Sequence, residues 1–173
     1  MFIKMLGGAL VILSSTMIGF LVAGSFHYRP KILRDLQVAL SMLETEIGYG
    51  HSPLPEALES ISKKCDADVA KLFSKAKTHI SSKEGCTPDE AWQKALNDFY
   101  TDTHLLETDM EVLSSFGRYL GSTDRQDQLK NIKLTLTNLK QQEIIALDEK
   151  SKNEKLWKYL GVLSGTMVFL LLY

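Results

Sequence analysis

PKILRDLQVALSMLETEIGYG, residues 30–50, decides the fold class. Leu33, Leu36, Leu40, Leu43 and Ile47 recur at alternating spacings of three and four, one apolar stripe over four helical turns. Pro30 stands where the first residue of a helix tolerates a missing N–H. Gly48 and Gly50, around Tyr49, end the pattern. Strand-like alternation is nearly absent from the chain, so the class is all-α.

Outward from this stretch the helical period continues. Ser52-Pro53-Leu54-Pro55-Glu56 restarts a helix with Ser52 as cap and Leu54, Leu58 and Ile61 as its stripe. Asp66 or Asp68 caps a third, carrying Val69, Leu72, Phe73, Ala76 and Ile80, and residues 81–85 read as a loop. Thr87-Pro88-Asp89-Glu90 is the sharpest local signal. The Thr87 hydroxyl can accept from the Glu90 N–H while the Glu90 carboxylate reaches back, with Pro88 in the first turn. The fourth helix then buries Ala91, Trp92, Ala95, Leu96 and Phe99. A fifth is expected from about Thr103, with Leu106, Met110, Leu113, Phe116 and Leu120, stopping at Gly121. Asp124 opens a sixth along Leu129, Ile132, Leu136 and Leu139, and neither Gly nor Pro interrupts residues 122–160.

Two oily ends flank these helices. Residues 5–26 and 159–173 contain no Asp, Glu, Lys or Arg, while the 132 residues between hold 19 of the 20 basic groups and all 21 acidic ones. Met5 to Phe26 would be about 33 Å long as a helix, enough to cross a hydrocarbon layer of roughly 30 Å. Ala23-Gly24-Ser25 resembles a signal-peptidase site, and cleavage there would give a secreted or tethered helical binding module. Signal cores run only about 7–15 residues, which favours an uncleaved anchor. The tail from Leu156 spans about 27 Å, with Lys158 able to snorkel, and reads as a second span. Arg29, Lys31 and Arg34 follow the first span, and Lys150, Lys152, Lys155 and Lys158 precede the second. Basic flanks stay inside, so the middle is cytoplasmic. Both ends of that middle must return to one membrane face, which an even number of antiparallel helices achieves. The expected architecture is a six-helix antiparallel bundle, residues 29–155, between an N-terminal transmembrane helix in 1–28 and a C-terminal one in 156–173.

Chemistry is poorly represented. His51, His79 and His104 are scattered, Asp102 and His104 lack a third metal ligand, and Cys65 and Cys86 have no CxxC spacing. No phosphate loop or nucleophile elbow occurs. Neither a catalytic group, a metal nor a cofactor is expected. The charged middle is net −2, which disfavours a nucleic-acid partner. Interaction features remain. Ser15, Gly19 and Ala23 repeat every fourth residue in the first span, as Gly161 and Gly165 do in the second, and such stripes let helices pack closely in lipid. Charge is also polarised: residues 84–111 carry −7 and residues 118–158 carry +3, arranged either for mutual neutralisation or for steering a partner.

Arg29-Pro30, then Leu43-Glu44-Thr45-Glu46-Ile47-Gly48-Tyr49-Gly50 running into Ser52-Pro53-Leu54, resemble the stage III sporulation protein AB (SpoIIIAB) family. So do Phe116-Gly117-Arg118-Tyr119-Leu120-Gly121, Asp124, Gln128, Ile132-Lys133-Leu134-Thr135-Leu136 and Leu139. The likeness covers essentially the whole chain and rests on the order of these pieces. It implies a component of the SpoIIIA–SpoIIQ complex of the outer forespore membrane, with a bundle similar to the GspF-like platform domain of type II secretion. The implied partners are other SpoIIIA-complex membrane proteins, a SpoIIIAA-type ATPase and the lipid bilayer. Platform proteins carry two such domains and this chain one, so a homo-oligomer would restore the pair. Glu44, Glu46, Tyr49, Arg118, Asp124 and Gln128 are the partner-facing candidates, although Glu46 can instead pair with a neighbouring helix and Asp124 can serve as an N-cap.

Overall fold

The computed structural model describes residues 14, 16–17, 21–22, 24, 26–49, 53–82, 85–121 and 124–172. Among these, the chain is helical and contains no strand. The helices are α1 (Tyr28–Tyr49), α2 (Leu54–Ser62), α3 (Ala67–Ser81), α4 (Pro88–Thr101), α5 (Glu107–Gly117) and α6 (Arg125–Leu172). Two compact units divide them: Lys31–Glu143, and Met1–Pro30 together with Ile144–Tyr173.

The first unit has the core. Leu33, Leu36, Leu40 and Leu43 of α1 are fully buried, as the three-four spacing requires. The fourth-helix expectation holds residue for residue: Ala91, Trp92, Ala95, Leu96 and Phe99 are all buried. Its start is the reciprocal capping box, with Glu90 N–H donating to Thr87 Oγ1 at 3.2 Å and Thr87 N–H to Glu90 Oε2 at 3.0 Å. Trp92 sits at the centre. It meets Phe73 of α3 and Phe116 of α5 edge-on, with ring centroids 5.6 and 5.1 Å away. Its buried indole N–H donates to the Leu113 carbonyl at 2.8 Å. Gln93 reinforces the same junction, donating to Ser114 O and accepting from Ser114 Oγ, both at 3.0 Å. Antiparallel α1 and α6 meet through Lys133 with Glu44, Arg34 with Glu143, and a hydrogen bond from Arg125 to the Gly48 carbonyl.

Three helix starts differ from expectation or refine it. Pro53, not Ser52, occupies the cap position of α2; Ser52 lies outside the described residues. Asp66 rather than Asp68 caps α3, accepting from the Asp68 N–H at 3.3 Å. α5 begins at Glu107, about four residues later than Thr103, because the buried Asp109 carboxylate reaches back to the Leu106 N–H at 2.9 Å. Leu105 is then buried, and Leu106, expected in the core, is 47% exposed. Gly121, at φ +71°, closes the turn after α5 against Pro88 and Leu54.

The transmembrane expectation is corrected among the described residues, where no helix is long and apolar enough to cross a membrane. In α6 the residues after Lys158 number only 14, roughly 21 Å of helix against the roughly 30 Å required. The first stretch, 5–26, falls largely outside the described residues. Within the second unit, the buried Arg29 donates to Glu149 at 2.7 Å, and Lys152 and Lys158 bridge to Asp148 and Glu154, each at 2.6 Å. These basic groups are therefore locally balanced.

A Cβ at Gly117 would come within 2.4 Å of Trp92 Cδ1, and the indole, packed on both sides, has nowhere to retreat. Gly117→Ala is expected to lower stability by about 1–3 kcal/mol, the usual range for overpacking a filled core. Thr87→Ala should cost about 1 kcal/mol through its cap alone. Urea unfolding followed by helical circular dichroism checks both, and a Gly117→Ala variant as stable as the parent would contradict the packing described.

Candidate interaction surface

The junction where α1 ends and α6 begins gathers four of the six expected partner-facing residues. Glu44 is half-buried, 3.8 Å from Lys133. Tyr49 is 88% exposed, at the last position of α1. The Gly48 carbonyl before it accepts from Arg125. Asp124 accepts from the Arg125 N–H at 2.8 Å, and its carbonyl accepts from the Gln128 N–H at 3.0 Å. It thus acts as the start of α6, while half-buried Gln128 stands one turn on.

The other two lie elsewhere. Glu46 turns toward α2, accepting from Ser60 Oγ at 3.3 Å and standing 3.9 Å from Lys64. It holds two helices together, the structural alternative read from the sequence. Arg118 follows α5, donates to Ser115 Oγ at 2.8 Å, and borders a groove with Glu107, Met110 and Glu111. Of the small-residue stripes, Ser15, Gly19 and Ala23 lie outside the described residues. Gly161 and Gly165 are both in α6, with Gly161 buried and its carbonyl accepting from Ser164 Oγ at 3.2 Å.

Sequence reading missed the most constrained polar cluster. Glu143 of α6 is 1% exposed. Its Oε1 accepts from Arg34 Nε at 2.9 Å, and its Oε2 from Gln37 at 3.0 Å and Lys140 at 2.9 Å. A signal was present: Ile132, Leu136, Leu139, Glu143 and Ala146 continue one stripe, so Glu143 occupies a core position. The cluster borders an open groove of about 580 Å³ with Val38, Ser41, Met42 and Thr45. No group of three His, Cys, Asp or Glu side chains able to hold a metal occurs among the described residues.

Burial alone would raise the Glu143 carboxyl pKa, but hydrogen bonds from Lys140, Gln37 and Arg34, with the Lys140 charge, outweigh it and hold the group at about 2 against an ordinary 4.5. A depressed folded-state pKa contributes stability above the unfolded value and loses it as pH falls toward the folded one. The bundle should therefore weaken between about pH 5 and pH 2. Glu143→Gln should flatten that slope in urea titrations across this range. An equally steep slope in the variant would assign the acid sensitivity elsewhere.

The family model described as Stage III sporulation protein AB matches residues 4–173. The Stage III sporulation protein AB of Bacillus subtilis (strain 168) is 38% identical over 170 residues, 98% of this chain and 99% of that one. A solved structure of Stage III sporulation protein AB (SpoIIIAB) superposes with a TM-score of 0.67 at 38% identity, covering 72% of this chain and 98% of that chain. The family model and the Bacillus subtilis relative, both near full length, carry the resemblance first read in the Glu44–Gly50 and Phe116–Gly121 segments, and the chain belongs to the stage III sporulation protein AB family.

Proposed function

We propose that the chain is a non-enzymatic platform of the SpoIIIA–SpoIIQ complex, whose bundle docks a SpoIIIAA-type ATPase and other SpoIIIA-complex membrane proteins. Family membership supports a sporulation component of the SpoIIIA complex. The docking role is supported by one observation above the rest: Tyr49, a large aromatic, stands 88% exposed on the helix-end cluster of Glu44, Asp124 and Gln128. Tyrosine, an aromatic with a polar tip, is among the side chains enriched at protein interfaces and at the positions that dominate their binding energy. Arg118 and Glu46 lie off this surface, Arg118 after α5 and Glu46 in its hold on α2.

Residues 5–26 are uncharged and supply the membrane anchor in this reading, with Ser15, Gly19 and Ala23 as its packing stripe. The C-terminal segment, residues 156–173, rests in the apolar layer, with Gly161 and Gly165 facing a neighbouring helix. Leu156, Leu163 and Met167, exposed by 52%, 64% and 65%, favour an apolar environment there. The bundle faces the mother-cell cytoplasm from the outer forespore membrane.

Tyr49→Ala combined with Gln128→Ala is expected to weaken binding to a SpoIIIAA-type ATPase at least about tenfold, the loss typical of an interface anchor. Unchanged binding in a pull-down titration would exclude this end of the bundle. Cysteine-accessibility mapping checks the anchoring, after Cys65 and Cys86 are replaced and probes placed at residues 2 and 173 and in the bundle. Release of the full chain by carbonate would overturn it.

A further inference from the structure

The geometry points to a head-to-tail contact between copies of this chain, in which the acidic ridge of α5 on one copy seats in the basic α1–α6 groove of the next. This inference concerns the Lys31–Glu143 unit alone and stands independently of the ATPase-docking reading.

The groove is lined by Arg34, Val38, Ser41, Met42, Thr45 and Lys140, above Glu143. Arg34 and Lys140 keep 63% and 58% of their side chains exposed, although both bond to the nearly inaccessible Glu143. One carboxylate cannot neutralise two cations, so the rim carries a net positive charge. Val38, 47% exposed, gives the groove an apolar wall beside those cations.

The ridge has the opposite character. Leu106 caps α5, and Glu107, Met110 and Glu111 lie along it at the edge of a shallow groove, with both glutamates exposed and neither in an ion pair among the described residues. Residues 84–111 carry −7 in total. The two glutamates are four residues apart and so project from one helical face. Arg34 and Lys140 converge on the two oxygens of a single carboxylate, so their heads are close enough to receive such a pair. Leu106 and Met110 then meet Val38 and Met42. Mutual neutralisation of the two charge blocks within one copy does not account for these two glutamates: Arg118 borders the same groove, but no ion pair joins it to either of them among the described residues. The two patches differ, so the contact is heterologous and propagates into a ring or a chain.

The test uses the full chain in non-ionic detergent, with mass read by sedimentation velocity. The parent should self-associate at low salt and dissociate at about 1 M salt, where the Debye length is about 3 Å. Glu107→Lys with Glu111→Lys should weaken association more than about tenfold, as expected for like charges across an interface. These positions are exposed, so folding is not at issue, and circular dichroism verifies it. The variant keeps its groove and loses its ridge, so titrating it into the parent should cap growth and lower the mean mass. A second variant, Arg34→Glu with Lys140→Glu and Glu143→Gln, should be inactive alone and restore assembly when mixed with the first. A parent that stays a single chain at low salt overturns the inference. So does assembly that persists unchanged in the Glu107→Lys, Glu111→Lys variant, because a lipid-facing seam then carries it.

Discussion

The seat of Trp92 governs the bundle. An indole is the largest side chain a core can hold, and its N–H cannot be buried without an acceptor. Here the acceptor is the Leu113 carbonyl, a backbone group of α5 whose oxygen has a second lone pair beyond the one its helix uses. The bond therefore sets where α5 lies along α4. That placement in turn requires Gly117, because its hydrogen fills the only space between the helix backbone and the indole edge. Phe73 and Phe116 close the other sides of the ring. Three helices are thus keyed to one side chain, with Gln93 and Ser114 repeating the register one residue on.

The second constraint is electrostatic, and its effect differs in kind. Glu143 occupies a position that the stripe of α6 would give to an apolar residue. Its partners return more than desolvation takes, which is why the carboxyl is held at about 2. The carboxylate also defines the pairing of α1 with α6, since only one offset brings Arg34 and Gln37 to its two oxygens, while Lys140 reaches them from α6 itself. Apolar stripes slide past one another at small cost; a saturated carboxylate does not. The α1–α6 pairing is therefore specified by polarity, and the packing around Trp92 by shape.

The sequence made the centre legible because packing repeats. Every buried residue expected in α4 is buried, and the capping box before it holds both of its hydrogen bonds, since a cap is a local event written in four consecutive residues. The start of α5 was not legible. There Asp109 is fully buried, and a carboxylate that reaches back only three residues still needs the surrounding core to hide it. Leu105 and Leu106 are equivalent by composition, and tertiary packing alone decides which faces inward. Glu143 was overlooked for a related reason: an apolar-stripe search stops at the first charged residue, although the period continues through it to Ala146. Of the candidate surface, Glu44, Tyr49, Asp124 and Gln128 converge because helix ends meet in space, which no single-helix pattern reveals. Glu46 shares their segment but turns to Ser60 and Lys64, because one residue either side of a stripe faces a different neighbour.

Charge segregation follows from these same constraints. The α1–α6 pair needs cations to hold Glu143, which places basic side chains at its groove. The α4–α5 pair is fixed by an indole and a glycine and needs no ions, so its outer surface is free to be acidic. Acidic residues also suit the beginnings of both helices, where Asp89, Glu90, Glu107 and Asp109 meet unpaired backbone N–H groups. The polarity of the unit is thus a by-product of how each half is locked. Once such a polarity exists on a rigid body, copies confined near a common surface experience an attraction between unlike faces with no further change to the core.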